Sequence, residues 1–315
     1  MNLADKRLIL CVGKGGVGRS TVAAAIAGQL ARAGKKVLLF EMNANDRFGN
    51  YFDKPTVGTD IVQLAPNLSA VNATPATALA EYGMMVLRWK SVYEMIFENR
   101  VTKAFIRAVP GMDDYAILGK VWFHTTETKW GKPVYDVVVF DMPASGHSYS
   151  MLRVPWVIVD TVPEGPLTRD AATVKQLLAD PVRTAAVLVT LAEEMPVNEA
   201  IELEAKLSAL GIVPQTVIAN QIYPSHFPQG SPVTRVLDTL IADPSTSPPS
   251  VSLLASLAAH GSLSRDRRLL NERYLSELRK RTKTPVAELP MVFAQKLGPT
   301  HVVQLGQELE KKLTA

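Results

Sequence analysis

Gly13-Lys14-Gly15-Gly16-Val17-Gly18-Arg19-Ser20 is the stretch on which the reading of this chain turns. The glycines let successive backbone N–H groups turn inward and close on phosphate oxygens. A helix opening at Ser20 adds the positive end of its dipole. The Ser20 hydroxyl is placed to ligate Mg²⁺, and Thr21 follows it in the first helical turn. A glycine-rich string alone is a weak signal. Here it follows an apolar strand, Arg7-Leu8-Ile9-Leu10-Cys11-Val12, and precedes an Ala-rich helix from Ser20 to Ala33 that Gly34 stops. In that context a phosphate cradle made by Gly13, Lys14, Gly15, Gly16, Val17 and Gly18 is the expectation.

Outward from the loop, Val37–Phe40 reads as the next buried strand, completing a strand–loop–helix–strand unit with a right-handed crossover. Further buried strands are expected at Val134–Phe140, Ala185–Leu191, Gln215–Ala219 and near Val286–Leu289. Helical segments separate them, for example Glu199–Leu210 with Ile201, Leu203, Leu207 and Leu210 on one face. The alternation predicts an α/β fold, a doubly wound and mostly parallel sheet, as one domain over residues 1–315. Residues 76–130 break the rhythm. Their apolar face (Leu79, Met84, Met85, Leu87, Tyr93, Ile96, Phe97, Phe105, Ile106) reads as helical throughout, a helical subdomain inserted between two strands. Asp243–Ser250 is a Pro/Ser-rich loop, and a C-terminal helix carries Val302, Leu305, Leu309 and Leu313.

The 315 residues are 47% hydrophobic and 20% charged, enough for a large core and against global disorder. A net charge of +4, thinly spread, suits solubility and gives no nucleic-acid footprint. One cysteine, Cys11, excludes an internal disulfide or a CxxC zinc site, and a reducing, cytoplasmic compartment is the default. No run reaches the length needed to span a bilayer, and no signal peptide is read at the start.

A second motif gives the family. Tyr135-Asp136-Val137-Val138-Val139-Phe140-Asp141-Met142-Pro143-Ala144-Ser145-Gly146-His147-Ser148 resembles the switch segment of the arsenical-pump ATPases and of their relatives that target tail-anchored membrane proteins. The continuation Met151-Leu152-Arg153-Val154-Pro155 is similar to that family's short helix. Pro110-Gly111-Met112-Asp113-Asp114, Asn220 and Val286-Ala287-Glu288-Leu289-Pro290 resemble further family segments. The resemblance implies a P-loop NTPase of the deviant type that binds ATP or ADP with Mg²⁺. Asp141 would hold the metal beside Ser20, Gly146 would offer its N–H to the γ-phosphate, and Asn220 with Pro290 and Met291 would border adenine. Lys14 would be the signature lysine, serving a nucleotide in the other subunit of a dimer. Partition and division-site ATPases of DNA or membrane surfaces share the glycine loop but lack the second motif and the helical insert.

The chain departs from the pattern. Arg19 stands where the loop normally has lysine, and a planar guanidinium does not replace a compact ammonium. After the second strand Asn43-Ala44-Asn45-Asp46 replaces Asp-Pro-Ala-His, and the amide of Asn43 cannot accept a proton as a carboxylate does. Asp46 substitutes only if the loop shifts. The thiols of the pump and of the targeting factor have no counterpart. Two functions remain open. One is a dimeric ATPase whose helical subdomains open and close on a client, a membrane protein or another hydrophobic one. The other is a catalytically weakened subunit that completes an intact paralogue in a heterodimer. A homodimer, a heterodimer, and a peripheral position at the membrane all stay open.

Overall fold

The computed structural model describes residues 3–42, 45–87, 111–228, 230–242 and 251–314. Leu8–Gly13 forms β1, and Leu8, Leu10 and Val12 face one side of the sheet while Ile9 and Cys11 face the other. All are buried, as expected where helices cover both faces of parallel strands. Helix α1 (Arg19–Arg32) follows and ends at Gly34 in the left-handed region, φ +87°. It leads to β2 (Val37–Met42), the short α2 (Phe48–Tyr51), the edge hairpin β3 (Val62–Ala65) and β4 (Leu68–Ala73), and α3 (Pro75–Leu87).

Helix α4 (Met112–Thr126) and a small hairpin, β5 (Thr128–Lys129) and β6 (Lys132–Pro133), come before β7 (Val137–Asp141). Then follow α5 (Ser145–Thr161), α6 (Pro166–Ala179), β8 (Thr184–Leu191), α7 (Glu194–Ala209) and β9 (Pro214–Ile222). The chain closes with α8 (Pro232–Ala242), α9 (Val251–Arg281), β10 (Val286–Pro290) and α10 (Pro299–Thr314).

The main sheet runs β10-β9-β8-β1-β7-β2-β4-β3, parallel except for β3 at one edge. One face packs on α1 and α10 through Ile9, Leu39, Val139, Val22, Ile26, Val302 and Leu305. The other packs on α4, α5, α6, α7 and α9, with Phe40 edge-on to Phe140 at 5.2 Å between centroids. The chain leaves β1 towards β2 on one side and leaves β7 towards β8 on the other. The loops after these adjacent strands therefore diverge, opening a crevice at their carboxyl ends, where ligands bind in such sheets.

The expected strands are present, and β3 and β4 are additional. The helical reading of residues 76–130 holds for α3 and α4 within the described residues. It fails at residues 128–130, which open a hairpin, Thr128–Lys129 paired with Lys132–Pro133, turned at Trp130-Gly131, both with positive φ. Residues 88–110, with Tyr93, Met95, Ile96, Phe97, Phe105, Ile106 and Pro110, lie outside the described residues, as do Asn43, Ala44 and the loop 243–250. No helix among the described residues is long and apolar enough to cross a membrane.

Candidate functional site

The loop after β1 is held in shape by contacts that admit no side chain. A Cβ on Gly13 would stand 2.2 Å from the Val189 carbonyl oxygen. Gly18 combines a φ of +83° with a neighbour, Asn220 Nδ2, at 2.3 Å from its Cβ position. Glycine is therefore the residue type that satisfies both positions. Asn220, buried at the end of β9, donates from Nδ2 to the Val17 carbonyl at 2.9 Å. It braces the loop from below. Val17 is buried beneath the loop, while Gly15 and Gly16 are exposed. Thr21 is among the residues lining the cleft over the loop, and its hydroxyl lies 3.0 Å from that of Tyr51.

A cleft of about 520 Å³ lies over this loop, lined among others by Lys14, Arg19, Ser20, Glu41, Asp141 and Gln221. Cys11, Asp141 and Glu41 form one row across β1, β7 and β2. In parallel neighbours this puts their side chains on the same face, the face covered by α1. Asp141 is 6% exposed. Burial raises its carboxyl above the ordinary range, opposed by Arg19 and by a hydrogen bond from Ser20. Arg19 Nε donates to Asp141 Oδ1 at 2.9 Å and its Nη1 donates to the Gly13 carbonyl at 2.9 Å. Arg19 is thus the counter-charge of the carboxylate expected to face the metal, and it closes on the loop's own backbone.

Glu41 is a site residue that sequence reasoning missed. It is 2% exposed, and its Oε1 has no hydrogen-bond partner. Burial, then Asp141, push its carboxyl up to about 8. A glutamate near the end of an otherwise apolar strand, Val37-Leu38-Leu39-Phe40-Glu41-Met42, was the available signal. The Ser20 hydroxyl, the Asp141 carboxylate and the orphaned Glu41 oxygen are hard oxygen donors of the kind Mg²⁺ takes, so the set fits a divalent cation. Among the described residues no cluster of three His, Cys, Asp or Glu side chains could hold a metal by itself. Cys11 is buried, and its thiol is pushed far up by that burial.

Lys14 has a partner in its own chain. Its Nζ is ion-paired with Glu199 Oε1, a residue of α7 that the sequence did not single out. Glu199 Oε2 also accepts a hydrogen bond from Ser145 Oγ at 3.1 Å. One carboxylate therefore ties the loop after β1 to the first residue of α5. Gly146 lies exposed in that first turn. The next residue, His147, places Nε2 2.8 Å from Asp114 Oδ1 on α4. The first turn of α5 is therefore hydrogen-bonded to α4 through Asp114.

Asp46 is engaged with backbone at the start of α2. It accepts the backbone N–H groups of Phe48 and Gly49 with Oδ1 (2.8 and 3.1 Å) and that of Val57 with Oδ2 at 3.0 Å. These bonds start α2 and occupy both oxygens. Asn43 lies outside the described residues. Pro290 ends β10 beside β9, and the N–H of the following Met291 donates to the Ile222 carbonyl at 2.9 Å. Phe293, 66% exposed, packs edge-on against Tyr223 on the same rim. Gln221, with φ 58°, turns from β9 into the cleft.

The sequence profile of the anion-transporting ATPases matches residues 6–164 and 167–234. ATPase BagA of Mycobacterium tuberculosis is 31% identical over 230 residues, covering 71% of this chain and 67% of that protein. An arsenical pump-driving ATPase of Escherichia coli is 27% identical over 233 residues, 67% of this chain and 39% of that longer protein. ATPase GET3 of Candida glabrata is 26% identical over 261 residues, 69% of this chain and 72% of that protein. The profile match runs through the phosphate loop, the Asp141 strand and Asn220, so the chain belongs to the anion-transporting (ArsA) ATPase family.

Proposed function

We propose that this chain binds ATP and ADP with Mg²⁺ in the cleft over residues 13–21, and that it works as one half of a dimer. The observation that carries the reading is the cradle itself. Gly13 and Gly18 have no room for side chains, Asn220 holds the loop from below, and Ser20 and Asp141 meet at its mouth. Backbone N–H groups of residues 15–20 hold the phosphates, and the start of α1 adds its dipole. Mg²⁺ held by Ser20 and Asp141 supplies charge neutralisation between the phosphates. Gln221, with Pro290 and Met291 on the neighbouring rim, borders the base. When the γ-phosphate comes and goes, Gly146 senses it, and His147–Asp114 passes the change to α4 and the rest of the helical subdomain over residues 76–130. The work is done on a hydrophobic or membrane-protein client, from the cytoplasmic side.

A second reading is favoured by a specific observation, the Arg19–Asp141 ion pair. The position that normally reaches for the β- and γ-phosphates is occupied with Gly13 and Asp141 instead. With Asn43 unable to act as a base and Asp46 tied to backbone, chemistry at this site is weak. In that reading the chain contributes Lys14 to an intact paralogue, and Lys14 leaves Glu199 to do so. Single-turnover hydrolysis by the purified chain separates the two. Slow turnover that rises about tenfold or more in Arg19→Lys/Asn43→Asp supports the weakened subunit. Ordinary turnover of the unmodified homodimer, with Lys14→Ala harmless, rules it out.

A further inference from the structure

The end of the sheet opposite the cleft carries a feature that nucleotide chemistry does not use. The hairpin β5–β6 turns through Trp130 and Gly131 with φ values of 56° and 74°. These define a two-residue turn that favours Asn, Asp or Gly at its first position, and tryptophan there is strained. Trp130 is 92% exposed. Lys129 and Lys132 stand directly opposite each other across the ladder, a like-charge pair that opposes the hairpin in water. Both choices work against the local fold, and the hairpin residues themselves bury nothing.

The hairpin is nonetheless firmly placed. Arg7 donates to the carbonyls of Thr125, Tyr135 and Asp136 and so clamps both its ends to the start of β1. The same end of the sheet exposes Val182 before β8 (74%) and Val213 before β9 (55%). Lys35 and Lys36 precede β2, where Asp136 N–H donates to the Lys36 carbonyl. The acids here are largely committed. Asp136 accepts the Lys36 backbone N–H, and Asp180 accepts that of Val182. Lys35, Lys36, Lys129 and Lys132 take no part in the ion pairs of the described residues.

We infer that this edge docks on an anionic lipid surface, with Trp130 at the headgroup level and Lys129, Lys132, Lys35 and Lys36 on lipid phosphates. A tryptophan flanked by Lys129 and Lys132, with Lys35 and Lys36 at the same end of the sheet, is the amphipathic chemistry such a surface recognises. The lipid phosphates relieve the Lys129–Lys132 repulsion, and the apolar edge of the headgroup layer covers the ring. Because the phosphate cleft lies at the other end of the strands, docking leaves it open to nucleotide and to a second subunit. The inference is independent of the nucleotide reading.

The test is co-sedimentation of the full chain with vesicles of phosphatidylcholine containing phosphatidylglycerol, against pure phosphatidylcholine, with tryptophan fluorescence read in parallel. Binding is expected to the anionic vesicles alone, to weaken with salt, and to blue-shift the emission. Trp130→Asn places a favoured residue in the turn, so its melting temperature should hold or rise. Its vesicle affinity should nevertheless fall at least about tenfold, the worth of covering roughly 60 Å² of ring. Lys129→Thr and Lys132→Thr should each lose about fivefold. No binding to anionic vesicles, equal binding to both vesicle types, or undiminished binding by Trp130→Asn overturns the proposal. Selective capture of acidic proteins without vesicle binding does so as well.

Discussion

Replacing Arg19 by lysine changes one side chain and separates two demands on Asp141. In the structure Asp141 Oδ1 receives Arg19 Nε at 2.9 Å, and the pair is largely dry, the side chains being 15% and 5% exposed. A metal ion that uses this carboxylate has to displace the guanidinium from Oδ1 or bind with the guanidinium's positive charge beside it. A hydrogen bond to a charged group is worth roughly 1.5–3 kcal/mol, so the metal's contribution to nucleotide affinity should be reduced by about ten- to a hundredfold. Lysine has no second arm to hold both Asp141 and the Gly13 carbonyl, and its compact charge fits between phosphates. Titration calorimetry of ADP and ATP, in Mg²⁺ and in EDTA, measures the effect as a ratio of dissociation constants. Arg19→Lys should raise that ratio by about ten- to a hundredfold, with the EDTA values within a few-fold of each other. If the ratio is the same in both proteins, Arg19 does not compete with the metal and the reasoning fails.

Three further outcomes follow from neighbouring groups. Glu41 has its carboxyl raised from 4.5 to about 8, so its proton is held by the folded state. Its contribution to stability is complete below about pH 4.5 and is lost as pH rises through 8. Glu41→Gln should therefore melt higher than the parent at pH 9, by at most roughly 5 kcal/mol of stability, and the gap should close at pH 5 in a melting series without metal. Glu199→Gln frees Lys14 from a partly exposed ion pair and should tighten ATP-dependent self-association several-fold, a loss of roughly 1 kcal/mol of competing interaction, read by analytical ultracentrifugation. Unchanged association would mean that the pair does not hold the lysine back. Arsenite should neither bind stoichiometrically nor stimulate turnover, because a soft metalloid wants several thiolates and Cys11 is the single, buried thiol. A stoichiometric arsenite complex of the folded protein would contradict this.

Much of the fold could be read from local pattern, because buried parallel strands are short apolar runs and the glycine loop carries its own geometry. Helix α1 and its stop at Gly34 were readable for the same reason. The hairpin strands β3 and β4 were not. Val62-Gln63-Leu64-Ala65 is half exposed and lacks a continuous apolar run. Trp130-Gly131 is a poor turn signal because the turn type usually carries Asn or Asp first. At the site, the identities of Ser20, Asp141 and Arg19 were visible, but their mutual pairing was not, since Arg19 and Asp141 stand 122 residues apart. The Lys14–Glu199 tie spans 185 residues and joins elements that only the folded sheet brings together. The engagement of Asp46 by three backbone N–H groups was likewise not legible, because nothing in the local sequence reveals that they converge on it.

The most direct test of the account is calorimetric titration of the purified chain with ATP and ADP in Mg²⁺, beside Asp141→Asn and a Gly18→Val variant. Gly18→Val drives a side chain into Asn220 and should collapse the cradle. One nucleotide should bind per chain, with weaker metal dependence in Asp141→Asn and no binding to Gly18→Val. Absence of adenine-nucleotide binding to the unmodified chain at millimolar concentrations, or undiminished binding by Gly18→Val, would contradict it.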